Sequence, residues 1–483
     1  MYNNIYDPIN NSKHSITSTE GLQLLKNYLQ EGGRRVGTGT YKCVFSPALK
    51  CGTKRDRFTL PGKNPDEFVG ALMDSNKEIR QEIKEDKILK HIDPKRKFTL
   101  PILKQCSAIK PEDSPGLEQD SEFDECPFPI YEWDNSVNPK IKQLIYKKGG
   151  EDLSNVLKNL KARLIKVFSD TSKSKAERNK NTVQVLVNIV DKFTNILEGL
   201  SDINKQQFTH RDIKPTNILY DYDKYYIIDF GFMSKFQDCL TNESSDNIYK
   251  EYTINYGHGA YYYRYWPIDI GITYKLLYPH TDFDFAVDSL SDPVYKLQHP
   301  YNSNRTQENI VNLFNKYNGA SNEDDFCRDS ITKFDVFSIS MAMKEYFPKI
   351  FTDMIDYVES LGIKNQTLKK LRKDIYPKIN SLIMEGLTFD PMDRLTIQEF
   401  TKKYIKIVKS LNSKQVKSPA LSITMSSTTP KPTGKTKGCK SFKKNKDPKC
   451  NDQSHCIWKK GVGCMEKPKK IIVKSIQKSS TKK

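Results

Sequence analysis

The segment FTHRDIKPTNILYDYDKYYIIDFGF, residues 208–232, places Asp212, Lys214, Asn217 and Asp229 in one short stretch. The residues Ile218-Leu219-Tyr220 and Lys224 to Ile228 alternate well enough for two short strands, and Asp221-Tyr222-Asp223 supplies a turn between them. Such a hairpin would return Asp229 beside the loop carrying Asp212 and Asn217. One carboxylate is then available for a hydroxyl proton, and two further oxygen donors are available for Mg²⁺. That set suits transfer of a phosphoryl group, where positioning and charge neutralisation carry the rate.

The order His210-Arg211-Asp212, Lys214, Asn217 and Asp229-Phe230-Gly231 resembles the catalytic and metal-binding loops of eukaryotic-type protein kinases. The resemblance implies ATP and Mg²⁺ as cofactors, with Asp212 as proton acceptor and Asn217 and Asp229 as metal ligands. It also implies that Lys214 steadies the γ-phosphate, a lysine at that position being typical of serine/threonine kinases. Downstream, KFDVFSIS looks like the kinase helix whose aspartate, Asp335 here, holds the catalytic-loop backbone. DPMDRLTIQEF resembles the late segment in which Arg394 pairs with an acid, whose nearest equivalent is Asp269 in WPID. Phe232, directly after Asp-Phe-Gly, implies serine over threonine as acceptor in the protein substrate.

The resemblance covers about residues 33–411. It implies a bilobal α+β fold, with a β-rich N-lobe over about 33–147 and a helical C-lobe over about 148–411. The style of the sequence, including CVFSPALKC, looks most like serine/threonine kinases of giant DNA viruses.

VGTGTYKCVF, residues 36–45, is the matching glycine loop. A dinucleotide site would want a helix next, but KCVFSP is β-branched and aromatic, and the Gly-Lys-Ser/Thr of a P-loop is absent. Val36, Gly37, Thr38 and Gly39 then bring backbone N–H groups to the phosphates, and Val44 covers the adenine. Kinases normally carry a phosphate-binding lysine on the third strand. That strand is FVGALM here, and the expected position reads as Ala71. Side chains alternate along a strand, so Lys42 shares a face with Val44. The arrangement is similar to the with-no-lysine kinases, and it implies that Lys42 is the relocated lysine, paired with Glu85 of the charged helix NKEIRQEIKEDKILKHI. The competing reading is a solvated loop lysine in a weakened or inactive kinase. By resemblance to the GGE turn, Leu144 is the gatekeeper, Ile145 to Lys147 with Tyr146 form the hinge, and Glu151 is a ribose or substrate-side acid. Each of these reads equally well as ordinary core or surface.

The 483-residue chain is 37% hydrophobic and 28% charged, enough for a sizeable core and a water-soluble surface. No signal peptide and no apolar run long enough to span a membrane is visible, which reads as an intracellular protein, in host cytoplasm or virion if viral. An N-terminal extension, 1–32, is expected to hold a helix capped by Thr17 and Glu20 and ended by Gly32-Gly33. Six scattered cysteines (Cys43, Cys51, Cys106, Cys126, Cys239 and Cys327) read as reduced thiols.

From residue 412 onward the chain holds 19 lysines and 3 acids, a net +16 of the whole chain's +19. Residues 412–438 are Ser-, Thr-, Pro- and Lys-rich and read as a disordered linker. Residues 439–483 form a basic tail with Cys439, Cys450, Cys456 and Cys464, at gaps of 10, 5 and 7 residues. No Cys-x₂₋₄-Cys knuckle favours zinc, and two disulfides, a zinc site and free thiols all stand as readings. The tail charge suits an anionic partner, nucleic acid or acidic protein, or serves solubility alone. Three functions follow from the sequence: an active serine/threonine kinase, a pseudokinase scaffold, or a polyanion binder acting through its tail.

Overall fold

The computed structural model describes residues 4–7, 12–15, 18, 34–38, 42–49, 51, 67–73, 76–107, 126, 141–240, 264–277, 307–412, 456–459 and 463–466. The expected helix over Thr17–Gly33, Gly39, the polar insert 53–66 and the linker all lie outside these residues, apart from Ser18 and Asn412. Two compact units divide the chain, Met1–Gln415 and Val416–Lys483.

The first unit opens with strands β1 (Asn4–Asp7) and β2 (Ser12–Ser15), an antiparallel pair with no counterpart in the sequence reading. Next comes a five-stranded antiparallel sheet of β3 (Arg34–Thr38), β4 (Cys43–Ser46), β5 (Phe68–Met73), β6 (Ile102–Ser107) and β7 (Lys142–Lys147), in the order β3-β4-β5-β7-β6. Register decides what each face carries. Val44 pairs with Ala71 and Ala71 with Leu144, so these three share one face, joined by Met73 and Tyr146. Helix α1 (Asn76–Ile92) packs Ile79 and Ile83 against that face.

The opposite face carries Cys43, Phe45, Leu72, Gln143 and Ile145, and two disulfides lie on it, Cys43–Cys126 and Cys51–Cys106. The expectation of six reduced thiols is thereby corrected: of the six, only Cys239 and Cys327 are free, and both are buried. The partners are 83 and 55 residues apart in sequence. Strand placement brings them together, and sequence spacing carries no signal of it. Gln143, fully buried on this face, accepts from the Leu49 backbone N–H at 2.8 Å and donates to the Leu49 carbonyl at 2.9 Å. Gly70 is required beside it, because a Cβ there would meet the Gln143 amide oxygen at 1.9 Å.

After β8 (Glu151–Asp152) the chain turns helical. Asp152 caps α2 (Leu153–Phe168) by accepting from the Ser154 and Asn155 N–H groups, and Ser174 with Glu177 forms a capping box on α3 (Lys175–Lys192). Helix α4 (Thr194–Lys205) follows. Beyond the segment that carries the site, α5 (Phe236–Leu240), α6 (Asp269–Leu277), α7 (Gln307–Tyr317), α8 (Glu323–Thr332) and α9 (Phe334–Lys349) build the core, and α10 (Ile397–Asn412) closes it. Leu186, Phe193, Leu197, Phe347 and Tyr404 are all fully buried there. The Tyr225 and Tyr404 hydroxyls donate to the Ile189 and Val190 carbonyls, so these buried phenols are satisfied.

In the second unit, the strands Cys456–Lys459 and Gly463–Glu466 pair antiparallel, with Trp458 opposite Cys464. Cys439 and Cys450 lie outside the described residues. Among the described residues no helix is long and apolar enough to cross a membrane.

Candidate active site

The site's first half is one continuous segment held at both ends. Strand β9 (Phe208–Thr209) leads into His210-Arg211-Asp212, where Arg211 has φ of 68°. A left-handed arginine needs outside support. Asp335, at the start of α9, provides it by accepting from the His210 N–H at 2.7 Å and the Arg211 N–H at 2.9 Å. The Trp266 indole donates to the Arg211 carbonyl at 2.9 Å. The role read for Asp335 from sequence is present in the geometry.

A single turn of 3₁₀-helix, Pro215–Asn217, then returns the chain toward Asp212. The Asn217 side-chain amide donates to the Asp212 carbonyl at 2.9 Å and to its carboxylate at 2.8 Å, and Lys214 reaches the same carboxylate oxygen at 2.8 Å. Strands β10 (Ile218–Tyr220) and β11 (Tyr225–Ile227) pair as the hairpin predicted. Asp221 closes its turn by accepting from the Asp223 and Lys224 N–H groups. The Ile228 N–H donates to the Asn217 carbonyl at 3.0 Å, which fixes the spacing between the two loops.

Asp229 follows with φ of 63°. Phe230 is buried against the His210 ring, at 4.7 Å between centroids. With the phenyl turned inward, the Asp229 carboxylate faces the cleft. Burial disfavours its charge, but Lys42 outweighs that and holds its pKa below the usual carboxylate value. His210 is fully buried, and desolvation lowers its pKa and keeps the ring neutral.

Lys42 comes from the other side of the cleft. Its ammonium lies 2.6 Å from Glu82 Oε1 and 3.2 Å from Asp229 Oδ1. Burial opposes its charge, yet Asp229 and Glu82 raise its pKa well above the ordinary lysine value. It therefore stands in the cleft as a charged group.

Its helix partner corrects the sequence reading, which paired it with Glu85. Glu78, Glu82 and Glu85 recur at i, i+4 and i+7 along one face of α1. Glu82 is the one whose carboxylate reaches the lysine, whereas Glu85 is buried and accepts from Gln81 at 2.8 Å. Burial, with Glu82 close by, raises Glu85 to about 7.

The third-strand position is corrected as well. Cys43 pairs with Leu72 and Val44 with Ala71, so one step further in the same register sets Met73, not Ala71, opposite Lys42. Met73 is 1% exposed and packs with Ile79 of α1.

Val44 packs on the cluster that contains Ala71 and Leu144. Leu144 is fully buried within the sheet. Val36, Gly37 and Thr38 lie in β3, with Gly37 paired to Val44 and Thr38 to Cys43. Tyr146, read as part of the hinge, donates its hydroxyl to Glu82 Oε2 at 2.5 Å. Glu151 accepts from Tyr222 and from Asn159.

Sequence reasoning missed Glu82 and, for Tyr146, read only a hinge position and not the contact with Glu82. The helical spacing was available for the first, and nothing in the sequence pointed to the second. The pair expected between Arg394 and Asp269 is present at 2.7 Å, with both side chains buried and Ser330 also donating to Asp269. Breaking a buried pair of this kind costs about 3–5 kcal/mol, because the surviving charge is left uncompensated.

The protein kinase domain family model matches residues 164–256. The match supports a protein kinase. It spans the stretch that holds Asp212, Lys214, Asn217 and Asp229, while the five-stranded sheet precedes the matched residues and helices α6 to α10 follow them. Lys42, Glu82 and Tyr146 fall outside the matched span. No curated protein matches the chain.

Proposed function

We propose that the chain is an ATP-dependent serine/threonine protein kinase that transfers the γ-phosphate to a protein hydroxyl. The observation that carries this reading is the convergence of Asp212, Lys214, Asn217 and Asp229 on one cleft with Lys42 opposite.

Asp212 accepts the hydroxyl proton, and its carboxylate is oriented by Asn217 and Lys214 before any substrate arrives. Lys214 and Lys42 offer positive charge to the transferring phosphoryl group from opposite sides. In this reading Lys42 is the relocated phosphate lysine, aimed by Glu82 and lying within reach of Asp229. Gly37 lets the β3 backbone approach the phosphates, and Val44, Ala71 and Leu144 supply an apolar surface for the base.

Asn217 and Asp229 fit Mg²⁺: both are hard oxygen donors. Among the described residues no cluster of three or more His, Cys, Asp or Glu side chains holds an ion unaided. Mg²⁺ is usually held by one or two carboxylates together with substrate phosphates. When bound, the ion neutralises charge on the phosphate oxygens.

The lysine at position 214 favours serine or threonine as acceptor, and Phe232 favours serine. The net +16 of the tail supports an anionic partner for that part of the chain. The affinity to giant-virus kinases rests on sequence style alone.

The deciding experiment is transfer of labelled γ-phosphate to a peptide with Mg²⁺, comparing wild type with Asp212→Asn and Asp229→Asn. Each variant removes one carboxylate charge and is expected to lose transfer by about 1,000-fold or more while staying folded. Wild-type rates in either variant would overturn the assignment. An inactive wild type would favour the pseudokinase scaffold.

A further inference from the structure

The two oxygens of the Glu82 carboxylate are divided between two donors. Oε1 accepts from Lys42 at 2.6 Å and Oε2 from the Tyr146 hydroxyl at 2.5 Å. Tyr146 is on β7, the strand that runs into Lys148-Gly149-Gly150 and then to the helical part. Its register partner is Val69, so its ring lies on the face that packs against α1. Lys42 in turn reaches Asp229 at 3.2 Å. A continuous chain of hydrogen bonds thus runs from β7 through α1 to the Asp-Phe-Gly loop.

We propose that Tyr146 is a positioning residue, whose hydroxyl holds Glu82 in the rotamer that aims Lys42 at the phosphates. The proposal rests on the kinase reading above. A glutamate side chain has three rotatable torsions, and one ion pair to an equally long lysine leaves both free to swing together. A second donor from the rigid sheet removes that freedom. The short, half-buried contact makes the phenol a fixed anchor, whereas Glu82 and Lys42 are each long and flexible. Burial, followed by the nearby Glu82 charge, pushes the Tyr146 hydroxyl well above its ordinary pKa. It therefore stays protonated and donating across the working pH range. Position 73 is apolar, so no third-strand cation holds Glu82 from the sheet side, and Tyr146 takes that place.

Tyr146→Phe keeps the ring and removes only the donor. Two quantities test it on the full-length chain: the rate of γ-phosphate transfer, and the rate at which Lys42 is acetylated by N-hydroxysuccinimidyl acetate, read by peptide mass spectrometry. Tyr146→Phe is expected to slow transfer about tenfold with the peptide KM unchanged, and to speed Lys42 acetylation several-fold. In a Glu82→Gln background it should change neither quantity further, because coupled residues lose their interaction only once. Unaltered acetylation of Lys42 in Tyr146→Phe, or losses that add fully to those of Glu82→Gln, would overturn the proposal. Acetylation needs no catalysis. A wild type that transfers no phosphate would therefore sink the kinase reading, while the Lys42 measurement still decides the role of Tyr146.

Discussion

The two sides of the cleft are specified in different ways. On the helical side, Asp212, Asn217 and Asp229 belong to one segment, and a hairpin and a 3₁₀ turn fold it onto itself. On the sheet side, Lys42, Glu82 and Tyr146 come from three elements, with partners 40 and 64 residues apart. The first arrangement is local and tolerates error in the placement of neighbouring elements. The second depends on strand register and helix phase, where one residue of slip turns a side chain to the wrong face. A local site can be read from residue types and spacing, whereas a distributed one is read from the assembled sheet.

The sharpest way to break this comparison is to remove the sheet-side cation. Lys42→Met is expected to slow phosphate transfer by about 100-fold or more, at ~1.4 kcal/mol per tenfold, since a charge-assisted contact to the phosphoryl group is lost. Near-normal rates in a peptide assay would leave the whole reaction to the helical side. The helix partner comes next. Glu82→Gln should cost about tenfold in the same assay and Glu85→Gln less than about threefold. The reverse order would restore the pairing that the sequence suggested.

A smaller effect sharpens the register argument. Adding Met73→Lys to Lys42→Met should recover about tenfold of the lost rate, and Ala71→Lys should recover none. Recovery with Ala71→Lys alone would mean that the strand alignment is off by a two-residue step.

The smallest effect concerns stability. Glu85 is raised in the folded chain from 4.5 to about 7, so the folded state binds its proton more tightly than the unfolded chain does. Its contribution is fully present below about 4.5 and is lost as pH rises through about 7. The unfolding midpoint should therefore fall by a few degrees between pH 5 and pH 8, and Glu85→Gln should flatten that slope. An unchanged slope in the variant would assign the pH dependence to another group.

These expectations show where the sequence was sufficient. The Asp-containing loops, the turn at Asp221, the Asp335 clamp and the Arg394–Asp269 pair are all visible as types at short spacing or in chain order. Helix α1 is equally legible, with the same bounds in sequence and structure. What sequence chose wrongly was which of its three glutamates faces the lysine, reading Glu85 where Glu82 stands, because Glu78, Glu82 and Glu85 lie on one face and only the seating of the helix selects among them. The offset of Met73 from Ala71 is the strand version of that ambiguity, settled by the Cys43–Leu72 pairing. The Tyr146 contact requires knowing that β7 lies next to β5, although β6 precedes it in sequence. The disulfides are illegible for the same reason: their cysteines meet only on the finished outer face of the sheet.

Those two cross-links govern how the strand-rich part endures outside its native surroundings. They close chain loops of 83 and 55 residues. By the chain-entropy account each such closure takes roughly 4 kcal/mol of freedom from the unfolded chain. The Cys43–Cys126 bond holds Cys126 on the face that carries Phe45 and Leu72. The lifetime of the lobe that presents Lys42 is thus tied to the thiol poise of its environment as well as to its apolar core. A reducing milieu would cut both tethers and leave the apolar clusters on that face to hold the sheet alone.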